Sequence, residues 1–398
     1  MIYKTPRLAE ADEMVLKLLH EQRDRLRIYT QNSPKRWMGA LRRNTLARAI
    51  RASNSIEGIN ASMEDVLAAV ENDDPPDLDL DRETWLAIKG YRDAMTYILQ
   101  ASQDPHFEFS KQFLKSLQFM MIGHDLDKNP GRWRPGSIYV VNGATKEVVY
   151  EGPPAELVDG LVEELVDYLR APFNESPMVR AAMVHLNLTM IHPFKDGNGR
   201  LARALQTLVL AQEGLLHPVF CSIEEWLGRT TQDYYAVLTE VGRGKWHPQN
   251  DALPWVRFCL KAHFHQAAAL IRRNEEYEKL YEGIDRIVRR EKLPERVALS
   301  LFEAALDLRM TNTRYRRLAE VTDALASRDL KKLCDLGLLV PKGERRGRVY
   351  ESGQELKALR ESTRIDRPFE DPYALVEQPA VLERLSRQPA IPGLGTAS

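Results

Sequence analysis

The sequence predicts a mainly α-helical fold: a large helical core with one small β-hairpin, followed by a smaller module of three helices and a second hairpin. Three observations lead there. Apolar residues recur at three- and four-residue spacing through most of the chain, as in helices with one buried face. Two stretches read instead as paired strands, one around Asn142-Gly143 and one within residues 339–350. The charge also changes sign: residues 286–367 hold 20 Lys and Arg against 13 Asp and Glu, a net of +7, so the remainder carries −8 in a chain totalling −1.

In chain order, residues 8–70 carry helical patterns, and the stretch 41–54 leads into Ser53-Asn54-Ser55-Ile56-Glu57-Gly58. Residues 71–81 read as an acidic, proline-containing loop, and helices resume at 84–100 and 110–124. Gly131-Arg132-Trp133-Arg134-Pro135-Gly136 then introduces two β-leaning runs, 137–141 and 146–150, around the Asn-Gly turn. Helices follow at 154–170 and on both sides of His192, another opens at Tyr234-Tyr235, and 255–282 should hold the last helices of the core. Past residue 291, helices at 297–306, 313–321 and 324–336 precede the arginine-rich turn Gly343-Glu344-Arg345-Arg346-Gly347-Arg348. Five prolines from residue 368 onward and few periodic apolar positions suggest a loosely packed tail. The expected division is therefore an N-terminal helical region at 1–110, a core at 111–285, a small module at 286–365 and a tail at 366–398.

With 398 residues and 43% hydrophobic side chains, the chain is long enough for more than one well-formed core. Cys221, Cys259 and Cys334 are widely spaced and odd in number, which suggests neither a zinc site nor a disulfide framework. Residues 1–6 lack a basic-then-apolar leader, and no apolar run approaches membrane-spanning length. A soluble protein of the reducing cytoplasm, without a membrane partner, is expected.

The segment His192-Pro193-Phe194-Lys195-Asp196-Gly197-Asn198-Gly199-Arg200, with Arg203 beyond it, concentrates the chemistry. Pro193 disfavours helical geometry at His192, so the preceding helix should end there and turn the imidazole out of its row. Gly197 and Gly199 flank Asn198 and permit backbone conformations closed to most residues, so successive amides can face one anion. The next helix, with Leu201, Leu205 and Leu208 as its buried stripe, offers free N-terminal amides to a phosphate. Arg200 and Arg203, three apart, share one face of its first turn. Asp196 suits Mg²⁺, which is usually held by one or two carboxylates together with substrate phosphates. A structural Asp–Arg pair at a turn would use the same residues, but the full string is too long and ordered for that alone.

This string resembles, without a gap, the HxFxDGNGRxxR signature of the Fic domain family. The resemblance implies a Fic-type helical core that binds ATP with Mg²⁺ and transfers AMP to a protein hydroxyl. It casts His192 as the general base and Asp196 as the Mg²⁺ ligand. Gly197, Asn198 and Gly199 become the anion hole, Arg200 a contact to the β-phosphate region, Arg203 a contact to the γ-phosphate, and Phe194 a buried anchor. The hairpin at 137–150 becomes the family's flap, whose edge can align an extended target by strand addition. Tyr235 is the better placed of the two tyrosines to hold the adenine by its ring face. His185, seven residues before His192, reads as a buried, hydrogen-bonded histidine.

Ser53, Glu57 and Gly58 fit the family's inhibitory signature, Ser/Thr-x-x-x-Glu-Gly/Asn, in its N-terminal position. Glu57 paired with Arg203 would occupy the cation that the γ-phosphate needs and would oppose its charge. The C-terminal module resembles a winged helix-turn-helix, with Ser327, Arg328, Lys331 and Lys332 on its recognition helix. Arg345, Arg346 and Arg348 would then add phosphate contacts. The leading expectation is an autoinhibited protein adenylyltransferase acting on Ser, Thr or Tyr of target proteins and on itself. The alternatives are a DNA-binding regulator with a nucleotide-sensing Fic unit, or a Fic enzyme that transfers another nucleotide or removes AMP. The winged module leaves DNA contact, protein docking and homodimerisation open.

Overall fold

The structure, a computed structural model, describes residues 1–31, 36–73, 80–141, 145, 147–172, 175–343 and 348–387. The Asn142-Gly143 turn, most of the acidic loop, and Arg345 and Arg346 lie outside these. The chain divides into two compact units: residues 1–28, 44–268 and 369–398 form the first, and residues 29–43 and 269–368 the second.

Helices α1 (Glu10–Gln31), α2 (Met38–Ile56), α3 (Met63–Glu71), α4 (Arg82–Ala101) and α5 (Lys111–Ile122) come first. An antiparallel hairpin follows, β1 (Tyr139–Val141) with β2 (Val148–Glu151), its register broken between Val140 and Val141. Then come α6 (Val158–Arg170), α7 (Pro177–Ile191), α8 (Asn198–Ala211), α9 (Glu224–Arg229), α10 (Thr231–Gly242) and α11 (Leu253–Arg290). Residues 255–282, expected to hold several helices, lie within one continuous helix of 38 residues.

The first unit is organised around α7. Its sequence is apolar on almost every side, and residues 178–188 are all buried, as expected of a helix with no solvent face. Ser176 and Pro177 start it in a geometry preset for a first turn. Against it lies α6, whose Val158, Leu161, Val162, Leu165, Val166 and Leu169 form one buried stripe. Gly90 on α4 lets the helix approach α5 closely, since a Cβ there would sit 2.5 Å from the Met120 carbonyl oxygen.

A polar chain threads this apolar core. His185 donates from Nδ1 to Gln206 and accepts at Nε2 from the Tyr234 hydroxyl, 3.1 Å away. Gln206 in turn donates to Nε2 of His263, also at 3.1 Å. The expectation of a satisfied buried histidine at 185 therefore holds, and burial pushes both His185 and His263 down to about 3.

In the second unit α12 (Ala298–Ala305), α13 (Asn312–Ala319) and α14 (Asp323–Asp335) precede β3 (Leu339–Lys342), β4 (Val349–Ser352) and α15 (Gln354–Ser362). Strands β3 and β4 pair antiparallel, Leu339 opposite Ser352. Glu303, fully buried, is held by Arg43 and Arg314. Arg296 clamps Asp329 with two hydrogen bonds of 2.7 and 2.9 Å, and the Tyr315 hydroxyl donates to the same carboxylate.

Two expectations about organisation need correction. Residues 1–110 are no separate region, because residues 1–28 and 44–110 belong to the same unit as α7 and α8, and residues 29–43 to the other. Nor is the tail loosely packed throughout. Residues 369–387 return to the first unit as α16 (Pro372–Val376) and α17 (Pro379–Ser386), burying Val376 and Leu385. The prolines there occupy first-turn positions, where the missing N–H costs nothing, so they start helices instead of preventing them. No described helix is long and apolar enough to cross a membrane, and all three cysteines are free thiols.

The histidine chain generates a prediction. His185 and His263 are held neutral, below the value of about 6.5 that an unfolded histidine shows. As pH falls below about 6.5 the unfolded chain gains protons that the folded core refuses, so stability is lost progressively toward pH 3. Thermal unfolding followed by circular dichroism should give a falling Tm between pH 7 and pH 4. A His185→Gln, His263→Gln double variant should show a shallower dependence over the same window.

Candidate active site

The site forms where α7 stops. His192 caps that helix in the left-handed region, φ 50° and ψ 58°, and its N–H still reaches the Leu188 carbonyl at 3.0 Å. Pro193 was expected to disfavour helical geometry at His192 and end the helix there. The helix does end there, but by a left-handed residue, at a cost of about 1–2 kcal/mol for a side chain other than glycine. That geometry turns the His192 carbonyl toward Arg134, whose Nε donates to it at 2.9 Å. The ring is fixed as well. Nδ1 lies 3.1 Å from the Thr189 carbonyl, which can only accept, so the neutral ring keeps its proton on Nδ1 and leaves Nε2 as a base. Burial, with Arg134 adding to it, lowers the His192 pKa, against the opposing pull of the Thr189 carbonyl, Glu57 and Asp196.

The following loop is closed from within. Asn198 accepts from the Phe194 N–H and donates to the Phe194 carbonyl, both at 2.9 Å. The Phe194 ring is fully buried, 4.7 Å from that of Trp133. The Asn198 side chain is thus committed to the loop, and only its backbone N–H is left for an anion. Gly197 takes φ 80°, and no side chain caps the start of α8, so the first amides of that helix stay free. Gly199 departs from expectation: it is helical, and its lack of a side chain matters for space. A Cβ there would lie 2.4 Å from Glu57 Oε1 and 3.1 Å from Arg203 Nη1.

Asp196, its side chain 36% exposed, lies 3.7 Å from Lys128 Nζ and 3.6 Å from Arg200 Nη2. Gln118 positions this turn, donating to the Asp196 carbonyl and accepting from the Gly131 N–H. The Arg200 guanidinium is buried, and its Nε and Nη1 have no hydrogen-bond partner among the described residues. Two orphaned cationic donors beside a row of free amides suit an anion with several oxygens.

Arg203 is different, because its Nε and Nη2 are taken, and only Nη1 is without a hydrogen-bond partner among the described residues. Nε donates to Ser53 Oγ at 2.8 Å, and Nη2 donates to the Ser53 carbonyl at 3.0 Å and to Glu57 Oε1 at 2.7 Å. Glu57 follows the last turn of α2, and Gly58 turns the chain away with φ 81°. The Glu57 side chain remains 27% exposed. Burial raises its pKa, but Arg203 and Arg200 outweigh that, so the carboxyl stays below its ordinary value. Tyr235 is 43% exposed, and its hydroxyl donates to the Ile56 carbonyl at 3.1 Å, at the end of α2. The structure thus brings Ser53, Glu57, His192, residues 196–200 and Arg203 together, and links Tyr235 to the same helix end.

Residues 108–210, which contain the hairpin, His192 and Arg203, match the model of the Fic/DOC family. The chain carries a Fic domain. It is 27% identical over 261 residues to the protein adenylyltransferase fic-1 of Caenorhabditis elegans, covering 65% of this chain and 47% of that protein. It is 26% identical over 261 residues to the protein adenylyltransferase Fic of Nematostella vectensis, covering 64% of this chain and 55% of that protein. The chain thus spans about half the length of these curated relatives. A Fic family protein from Desulfovibrio desulfuricans superposes with a TM-score of 0.57 at 22% identity, covering 88% of this chain and 99% of that one, a likeness of fold.

Behind this Fic domain's signature sits a shell that sequence reasoning did not find. Glu224, at the start of α9, is buried and accepts a hydrogen bond from the Tyr91 hydroxyl. Burial pushes its carboxyl up to about 7, although Tyr91 and Arg203 act to lower it. In the sequence, Glu224-Glu225 reads as the acidic first turn of a helix, and only the packing of α4 against α8 reveals its depth. Lys128, Gln118 and Arg134 were missed as well, because none lies in a motif with a fixed spacing to His192.

Proposed function

We propose that this chain is a protein adenylyltransferase that transfers AMP from ATP to a Ser, Thr or Tyr hydroxyl of target proteins and of itself, restrained by Glu57. The observation that carries the reading is His192 with a free Nε2 beside the free amides of residues 198 and 199 and the unpaired donors of Arg200, while the Gly197 N–H, expected to join them, donates to Asp196 Oδ1. The named activity of the relatives supports AMP as the group transferred. In the proposed reaction His192 Nε2 takes the proton from the target hydroxyl as its oxygen bonds to the α-phosphorus. The bond from that phosphorus to the bridging oxygen breaks, and pyrophosphate leaves. Amides 198 and 199 and Arg200 would meet the charge on the phosphate oxygens as it shifts. Asp196, a partly exposed carboxylate, is the residue that would hold Mg²⁺, and the ion would supply positive charge against the phosphates when bound. The Tyr235 ring would face the adenine.

In the restrained state Glu57 occupies Arg203, so a γ-phosphate arriving there meets a taken cation and a like charge. ATP held off its proper seat leaves the α-phosphate poorly aligned for in-line attack.

A second reading rests on the second unit. Ser327, Arg328, Lys331 and Lys332 on α14 are all exposed, as is Arg348, an arrangement that supports a winged helix-turn-helix meeting duplex phosphates. On this reading the Fic domain would sense nucleotide for a DNA-binding regulator.

Three outcomes test these readings. His192→Ala should abolish labelling from ATP, consistent with the ~10²–10⁴-fold contribution of a general base, while leaving ATP affinity nearly unchanged. Labelling at the parent rate would remove His192 from the chemistry. Glu57→Gly should raise self-labelling on the order of 10²-fold, the cost of a misplacement of about 1 Å, and intact mass then names the transferred group. Equal labelling of both forms at saturating ATP would leave Glu57 as part of an ordinary helix end. Duplex DNA affinity, measured by anisotropy, should fall by about 0.9 log unit per phosphate contact per log unit of salt. No binding at low salt rules out the DNA reading.

A further inference from the structure

We propose that Arg134 is a positioning residue for the transfer reaction, one that holds the hairpin edge and His192 in a single register. The inference rests on the adenylyltransferase reading above. Arg134 stands at the foot of the hairpin and is 4% exposed. A buried guanidinium is ordinarily paired with a carboxylate. Among the described residues none lies within ion-pair distance of this one, and it serves main-chain carbonyls instead. Nε donates to His192, Nη1 to Gly136 at 2.5 Å and Nη2 to Pro153 at 2.5 Å, while its own backbone N–H donates to Pro193 at 2.9 Å.

The three carbonyls belong to the three segments whose relative placement transfer requires. Gly136 enters β1, Pro153 leaves β2, and His192 carries the base. The outer edge of β2 is taken at its end, because the Glu151 N–H donates to Gly244 and the Trp246 N–H donates to Glu151. Strand addition by a target is therefore left to β1, where Tyr139 and Val141 are exposed. Arg134 anchors the start of that strand. Its rigid planar fork, with donors pointing three ways, fixes the distance from the β1 edge to His192 as a flexible ammonium cannot. The close approach is built in: a Cβ at Gly152 would lie 2.6 Å from Ile138 Cγ2 and 3.4 Å from Arg134 Nη2.

The hairpin does not depend on Arg134 alone for its attachment. The buried Tyr150 hydroxyl donates to the Met190 carbonyl at 2.8 Å, and Glu151 exchanges two backbone hydrogen bonds with Gly244 and Trp246. Loss of Arg134 should thus loosen register while leaving the hairpin docked. None of these contacts involves the residues proposed to hold nucleotide phosphates, so register and ATP affinity should separate.

The test uses the full chain in the Glu57→Gly background, with initial rates of AMP labelling measured against ATP concentration, beside thermal unfolding. Arg134→Met should lower kcat on the order of 10²-fold with KM for ATP within about twofold of the parent, as expected for misplacement of about 1 Å. Arg134→Lys should recover part of that loss, since an ammonium reaches some of the carbonyls but not all three at once. A purely structural tether would instead lower the Tm and raise KM for ATP along with the loss of rate, and that pattern overturns the proposal. So does a parental kcat in Arg134→Met. If the Met variant does not fold, the Lys variant decides: a several-fold lower kcat at unchanged KM supports the proposal, and a parental kcat overturns it. Absence of label from the Glu57→Gly parent itself overturns the adenylyltransferase reading, and this inference with it.

Discussion

The Fic domain is built around the need to satisfy one buried cation. The Arg203 side chain is 1% exposed on the second turn of α8. A charge there is tolerable only with fixed partners, and the surrounding elements supply them. Ser53 gives both a hydroxyl and a carbonyl from α2, and Glu57 gives the carboxylate. Burial works against the charge, and Glu57 more than restores it, so the guanidinium is held cationic. Glu57, just past the end of α2, is thereby held by the requirement of Arg203. A phosphate oxygen would meet the same requirement, so under the proposed function a carboxylate and a nucleotide would compete for one arginine.

Much of this was legible in the sequence, and the reasons are local. The His192–Arg203 string specifies a helix stop, a turn and a helix start in consecutive residues, and each follows from proline, glycine or apolar spacing. The buried stripe of α8, Leu201, Leu205 and Leu208, could be read from periodicity alone. What was not legible depends on contacts between distant residues. Glu224 needs Tyr91, 133 positions away, before its burial has meaning. Arg134 needs carbonyls from 136, 153 and 192, and a carbonyl leaves no mark on a sequence. Gly199 looked like a conformational glycine, but its φ is ordinary and its purpose is the oxygen 2.4 Å from where a methyl would stand. The tail misled because prolines signal loops unless they fall on a first turn.

His192 shows how positioning and reactivity arise from one backbone choice. Its left-handed geometry ends α7, aims the carbonyl at Arg134 and leaves Nδ1 facing Thr189 on its own helix. Each of those contacts fixes a different part of the residue, and together they leave only Nε2 free. The backbone strain is local and is offset by contacts within hydrogen-bonding range, the pattern expected where a conformation serves the site more than the fold.

The return of residues 369–387 to the first unit bears on how the chain becomes a protein at all. On the ribosome, α1 to α10 emerge well before the segment that completes their packing, and residues 269–368 must be made in between. Until then Asp12 lacks the Tyr373 hydroxyl, Glu21 lacks Arg384 and Lys17 lacks the Leu385 carbonyl. Contacts of such long sequence separation are slow to form, and their surfaces stay exposed meanwhile. The nascent chain therefore holds an unfinished first unit through the synthesis of the second, a period when a chaperone or a pause in translation has most to act upon.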